Sequence, residues 1–172
     1  MSALSNLLGM LQQYTNASPA NPPASTQQDF QNVAQAAPSD HIAAGLADAF
    51  RSNQTPPFPE MLANMFNQSN GQQRAGILSQ LLASAGPGLA AGVAGGLGAQ
   101  LAGLLKGGGS VTPQQAEQIS PEAVQQLAAH AQTQNPSIVD QASSFYAQHP
   151  QLVQGLGAGA LALIMSHISK RA

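Results

Sequence analysis

The sequence predicts an all-α fold: a multi-helix bundle with two Gly/Ala-rich apolar helices and an N-terminal Pro-rich arm. Three observations predict it. Apolar residues recur at three- and four-residue spacing through most of the 172 residues, and no stretch alternates convincingly with period two. Proline follows Thr112, Ser120, Asn135 and His149, each time where a first helical position is expected. Small residues also line up in four-residue rows, which leave flat strips where two helices can approach closely.

Residues 3–14 place Leu4, Leu7, Leu8 and Leu11 on one face of a short amphipathic helix. The following TNASPANPPAST has three prolines and no apolar period, so residues 1–26 read as a helix on an extended arm. Such an arm docks from outside, and removing residues 1–25 is expected to leave the remaining fold intact. A second helix begins near Thr26, with Asp29 completing an approximate capping box, and carries Phe30, Val33 and Ala37. Ser39 caps a third, with Ile42, Leu46, Ala49 and Phe50 inward. After the turn SNQTPP, a fourth starts near Pro59 and buries Leu62, Met65 and Phe66. Residues 71–85 carry the stripe Ile77, Leu78, Leu81 and Leu82, stopped by Gly86 and Pro87.

The stretch GPGLAAGVAGGLGAQLAGLLKGGG, residues 86–109, organises the rest. Gly88, Gly92 and Gly96 form one row, Ala91, Gly95, Ala99 and Gly103 a second, and Leu89, Val93, Leu97, Leu101 and Leu105 a third. Interior glycines cost about 0.8–1.0 kcal/mol each relative to Ala. A helix here is stable only if close packing on a partner returns that loss. A flexible linker would have no reason to keep a leucine face. In a packed helix Gly92→Leu is expected to destabilise, or to cost the oligomer if the partner helix belongs to another copy, and in a solvated or linker helix to be neutral or slightly stabilising. Gly107, Gly108 and Gly109 then form a joint, which divides the chain into 1–26, 27–109 and 110–172.

Beyond the joint, the prolines mark helices at 113–119, along Val124, Leu127, Ala128 and Ala131, and along Val139, Ala142, Phe145 and Tyr146. The last helix runs from Pro150 to about Ile168, apolar nearly all round, with its own Gly155 and Gly159. The two most apolar helices are thus the two with small-residue rows, and each is a candidate partner for the other.

Composition narrows the function classes. Only 7% of residues are charged, and the net charge is −2. So little charge gives weak protection against self-association, which makes an oligomer the first expectation. The basic residues Arg51, Arg74, Lys106, Lys170 and Arg171 are too few and scattered for a nucleic-acid footprint. Cysteine is absent, which removes disulfides, thiol catalysis and thiolate metal sites. The histidines His41, His130, His149 and His167 form no HxxxH or HExxH pair, so no metal site is expected. Glu60, Glu117 and Glu122 sit near helix starts, where the dipole favours them. No nucleophile elbow, P-loop or dinucleotide fingerprint occurs. An enzyme is not expected, nor a cofactor. The N-terminus lacks a charged n-region and a small-residue cleavage site, so no conventional signal peptide is expected. A cytoplasmic location is favoured over secretion by a non-classical route.

The words VTPQQAEQISPEAVQQLAAHA and QLVQGL resemble the C-terminal part of the YidB-like small bacterial proteins of unknown function. The chain departs from them in its helix 155–171 and its Pro-rich arm. The resemblance implies a bacterial, all-helical protein without known catalysis, and it carries over no functional residues. The Gly/Gln-rich, cysteine-free composition also resembles that of harpins, secreted bacterial proteins that act at membranes.

Two functions follow as expectations. The first is non-catalytic self-association or protein–protein interaction through Gly/Ala helix faces, at Gly88, Gly92, Gly96, Gly95, Ala99, Gly103, Gly155 and Gly159. The second is a membrane-associated or membrane-active protein that inserts helices 88–105 and 150–168, both near the lower limit of length and apolarity for a span.

Overall fold

Proline, glycine and capping side chains set the helix boundaries. A computed structural model describes residues 3–86, 96–106 and 110–171. Among these residues are eleven helices and no strand. They are α1 (Ala3–Gln12), α2 (Thr26–Ala36), α3 (Ser39–Arg51), α4 (Phe58–Gln68), α5 (Gly71–Ala85), α6 (Gly96–Leu105), α7 (Pro113–Glu117), α8 (Pro121–Gln134), α9 (Ile138–Ala147), α10 (Pro150–Gln154) and α11 (Ala158–Arg171). The fold is all-α, as expected.

The capping chemistry is visible. Thr112 and Gln115 form a full capping box around Pro113, and Ser120 caps α8 ahead of Pro121. Asn70 and Gln73 form another box at the start of α5. Gly86 ends α5 with φ +70, a conformation that few side chains tolerate. Asn135 accepts a bond from the Ser137 amide, but α9 starts at Ile138, two residues beyond Pro136. Two expected caps differ. Ser39 is the first residue of α3 rather than its cap. Thr26 donates to the Pro23 carbonyl instead of capping α2, and Asp29 takes other partners, described below.

By its internal contacts the chain divides into two units. Unit 1 is Met1–Pro57 with Ser143–Ala172, and unit 2 is Phe58–Ala142. This division differs from 1–26, 27–109 and 110–172, because contacts between the chain ends leave no local trace in composition. The joint Gly107–Gly109 lies outside the described residues.

In unit 1, α11 packs chiefly on α3, and also on α1 and α2. Ile42, Leu46, Ala49 and Phe50 of α3 are buried, as are Leu161, Ile164, Met165 and Ile168 of α11. The two helices approach closely where Gly45 meets Ile164. A Cβ at Gly45 would stand 2.9 Å from Ile164 Cγ2 and 3.0 Å from its carbonyl oxygen.

The arm corrects an expectation: it belongs to this unit's core. Tyr14 is fully buried, and its hydroxyl donates to Asp29 Oδ2 at 2.6 Å. Ser25 donates to the same oxygen at 2.7 Å, and Gln13 Nε2 at 3.3 Å. Further along, the Pro19 carbonyl oxygen lies 2.7 Å from where a Cβ would stand on Gly159. The turn that brings it there is closed by a bridge between Ser18 and Asn21.

The C-terminal helix expected from Pro150 to Ile168 is also corrected. It is two helices, α10 and α11, separated at Gly155–Gly157. Gly157 has φ +90, outside the helical region, so the backbone turns there and starts afresh. Unbroken apolar content hid the turn.

In unit 2, α4 packs on α8, and α5 packs on α7 and α8. Phe58, Met61, Leu62, Met65 and Phe66 are buried, as are Ile77, Leu78, Leu81 and Leu82. From α8 come Val124, Leu127, Ala128 and Ala131. Arg74 closes the end of α4. Its Nε donates to the carbonyls of Phe66 and Ser69, both at 3.0 Å, and Nη2 to that of Asn67 at 2.9 Å. The guanidinium also lies 5.0 Å over the Phe66 ring. These carbonyls lie at the negative end of the α4 dipole, where a cation is favoured. Arg74→Ala is expected to cost about 2 kcal/mol in denaturant unfolding. Arg74→Lys keeps the charge but loses the planar fork, and recovers only part of that loss.

Candidate functional site

The helix α6 is the described part of the Gly/Ala-rich stretch. Its two sides differ. Leu101 and Leu104 are buried, at 0% and 5% exposure. Ala99, Gln100 and Gly103 are exposed. A Cβ built on Gly103 meets nothing within 4 Å. The leucine side therefore holds α6 to unit 2, and the described members of the Ala91–Gly103 row face open space. Beside them lies a cleft of about 260 Å³, lined by Gln100, Gly103, Leu104, Gln115, Gln118 and Ile119. Three glutamines are among its lining residues, and their side-chain amides both donate and accept hydrogen bonds.

The other expected packing residues are placed as follows. Gly88, Gly92 and Gly95 lie outside the described residues, and with them the expected effect of Gly92→Leu. Gly96 opens α6, and its surroundings are not described. Gly155 is exposed in the turn between α10 and α11. Gly159 is half-buried, and its close neighbour is the arm at Pro19.

One pair of titratable side chains comes together unannounced. Asp48 Oδ2 of α3 and His167 Nδ1 of α11 are in contact in a cleft of about 250 Å³, with Ser52, Leu163, Ser166 and Lys170. Nδ1 is engaged by the carboxylate, and Nε2 is buried with no hydrogen-bond partner. A general base needs a nitrogen within reach of a substrate proton. Nδ1 is taken up by Asp48 and Nε2 is buried, and the pair reads as a clasp between α3 and α11. No sequence signal announces it, because the partners lie on separate helices from opposite ends of the chain.

The Tyr14–Asp29 cluster is likewise structural. Burial, and then the bond to Asp29, push the Tyr14 phenol above its usual value of 10.0. The proton stays on Tyr14, which makes it a fixed donor to the carboxylate.

Among the described residues no group of three or more His, Cys, Asp or Glu side chains is placed to hold a metal ion. Nor, among them, is any helix long and apolar enough to cross a membrane. The chain matches no family model, no characterised protein and no solved structure.

Proposed function

We propose that this is a non-catalytic helical protein that acts by association, with itself first and with other proteins second, through Gly/Ala helix faces. The observation that carries the reading is the two-sidedness of α6, with Leu101 and Leu104 buried and Ala99 and Gly103 open. Exposed glycine inside a helix costs stability and returns none within the protomer. An approaching helix would recover that cost as backbone-close packing. The 7% charged composition supports the reading, since little repulsion opposes contact between copies. The reading involves no nucleic acid, cofactor or metal.

The test is Gly103→Leu, followed by sizing with light scattering and by thermal melting. The new side chain points into open space and improves helix propensity by most of a kcal/mol, so the melting temperature should hold or rise. The assembly should lose mass, because a leucine there keeps an incoming helix away. An unchanged assembly mass would remove this face from the interface. Recovery of the wild-type protein only with detergent would favour membrane association instead.

A further inference from the structure

Asn70 is the one asparagine of the chain that precedes a glycine. It stands exposed at the corner between α4 and α5, and it caps α5. Each residue of the pair is there for its own reason. Asn70 Oδ1 accepts from the Gln73 amide at 2.9 Å, and Gln73 Oε1 accepts from the Asn70 amide at 3.0 Å. Residue 71 has little room for a side chain. A Cβ there would stand 3.1 Å from Cβ of Pro113, whose ring is stiff, and 2.8 Å from Glu117 Oε1. Helix capping and the approach of α7 therefore place a side-chain amide beside a backbone nitrogen that no Cβ shields.

That juxtaposition has a chemistry of its own. Gly71 is the first residue of α5, so its N–H has no acceptor within the helix. Once hydroxide has removed that proton, the nitrogen can attack the Asn70 carboxamide carbon and close a five-membered ring. The bond from Gly71 N to Asn70 Cγ forms, and the bond from Cγ to Nδ2 breaks. Water protonates the leaving nitrogen, which departs as ammonia, and hydroxide is returned. A second water then opens the cyclic imide at either carbonyl. One opening gives aspartate at position 70. The other gives isoaspartate, whose backbone runs through the former side chain and is one carbon longer.

The fold resists the ring. Closure requires Gly71 N to swing round until it eclipses Asn70 Cβ, whereas ψ of Asn70 stands at 171. Rotation about that bond turns α5 against the end of α4. Two restraints oppose it. One is the capping box, and the other is Arg74, whose Nε holds the carbonyls of Phe66 and Ser69.

We propose that Asn70–Gly71 is a site of spontaneous self-modification, converted to aspartate and isoaspartate at a rate set by local opening of the α4–α5 corner. The two products act differently. Aspartate still caps a helix and suits the positive end of its dipole. Isoaspartate moves the carboxylate off the Gln73 amide and lengthens the link, so the start of α5 loosens. Either product adds one negative charge to a chain whose net charge is −2.

The experiment holds the full chain at mildly alkaline pH and follows Asn70 by peptide mapping, which reads the exchange of NH2 for OH as a mass change. Wild type, Gln73→Ala, Arg74→Ala and Tyr14→Phe are compared, each folded and each unfolded in urea. In the folded chain Gln73→Ala should convert about fivefold faster than wild type, for the loss of one hydrogen bond. Arg74→Ala should be at least as fast. Tyr14→Phe weakens unit 1 and leaves this corner intact, so it should convert at the wild-type rate. In urea all four should share one faster rate. Should Arg74→Ala fail to fold, Gln73→Ala carries the comparison. Folded Gln73→Ala no faster than wild type would overturn the proposal. So would an equal acceleration by Tyr14→Phe, which would place the limiting step in general unfolding, or another asparagine converting as fast as Asn70 in the folded chain.

Discussion

Tyr14→Ala should lower the stability of the fold by about 3–5 kcal/mol, the range for removing a large buried aromatic side chain. The ring is fully buried in unit 1. Its loss leaves a cavity and also removes the shortest of the three side-chain donors on Asp29 Oδ2. Tyr14→Phe separates the two effects. It keeps the ring and removes only the hydroxyl, and should cost about 1–3 kcal/mol. The same cluster gives a pH dependence with a definite sign. The folded phenol holds its proton to higher pH than the unfolded one, whose usual value is 10.0. Between those two values the native state binds more protons, so stability falls as pH rises. The contribution is fully present below pH 10 and is lost progressively above it. Melting temperatures at pH 9 and 11 should fall further apart in the wild type than in Tyr14→Phe. Equal differences in the two would show that Tyr14 retains no excess proton in the fold.

Gly45→Leu should also destabilise the fold, by a different route. Even the first carbon of a side chain would stand 2.9 Å from Ile164 Cγ2 and 3.0 Å from the Ile164 carbonyl oxygen. A backbone oxygen moves only if α11 moves. Overpacking of this kind costs up to about 3 kcal/mol, well above the gain of about 1 kcal/mol in helix propensity. Gly103→Leu is the matched control, with the same propensity gain and nothing within 4 Å. The two substitutions should change the melting temperature in opposite directions. A stabilised Gly45→Leu would contradict the close approach of α3 and α11.

The residues involved explain what could be seen from the sequence alone. Thr112-Pro113, Ser120-Pro121 and Gly86 act locally: a side-chain oxygen reaches an amide three residues on, or a backbone takes positive φ. Such signals lie within one turn, and they placed α5, α7 and α8 correctly. The stripes of α3, α4 and α5 were legible for the same reason, since burial follows the helical period. The arm was different. Its prolines signalled an irregular segment, which it is, but nothing local said that Tyr14 would be covered by α2 and would meet Asp29. The turn at Gly155–Gly157 was masked because glycine is compatible with both a close-packed helix and a break. Only the positive φ of Gly157 decides between them. Asp48 and His167 meet through the folding of opposite chain ends, which no spacing rule reaches. Of the candidate interface, Ala99 and Gly103 were legible as a small-residue row. Which side of α6 faced inward was settled by Leu101 and Leu104, whose burial depends on the tertiary fold.

The central claim, that the chain works by self-association, is tested most directly by the molar mass in solution. Light scattering coupled to sizing, on full-length protein without detergent and over a hundredfold range of concentration, measures it. Association predicts a mass that is a multiple of the chain at the upper end and falls towards one chain on dilution. A mass of one chain at every concentration would contradict the account.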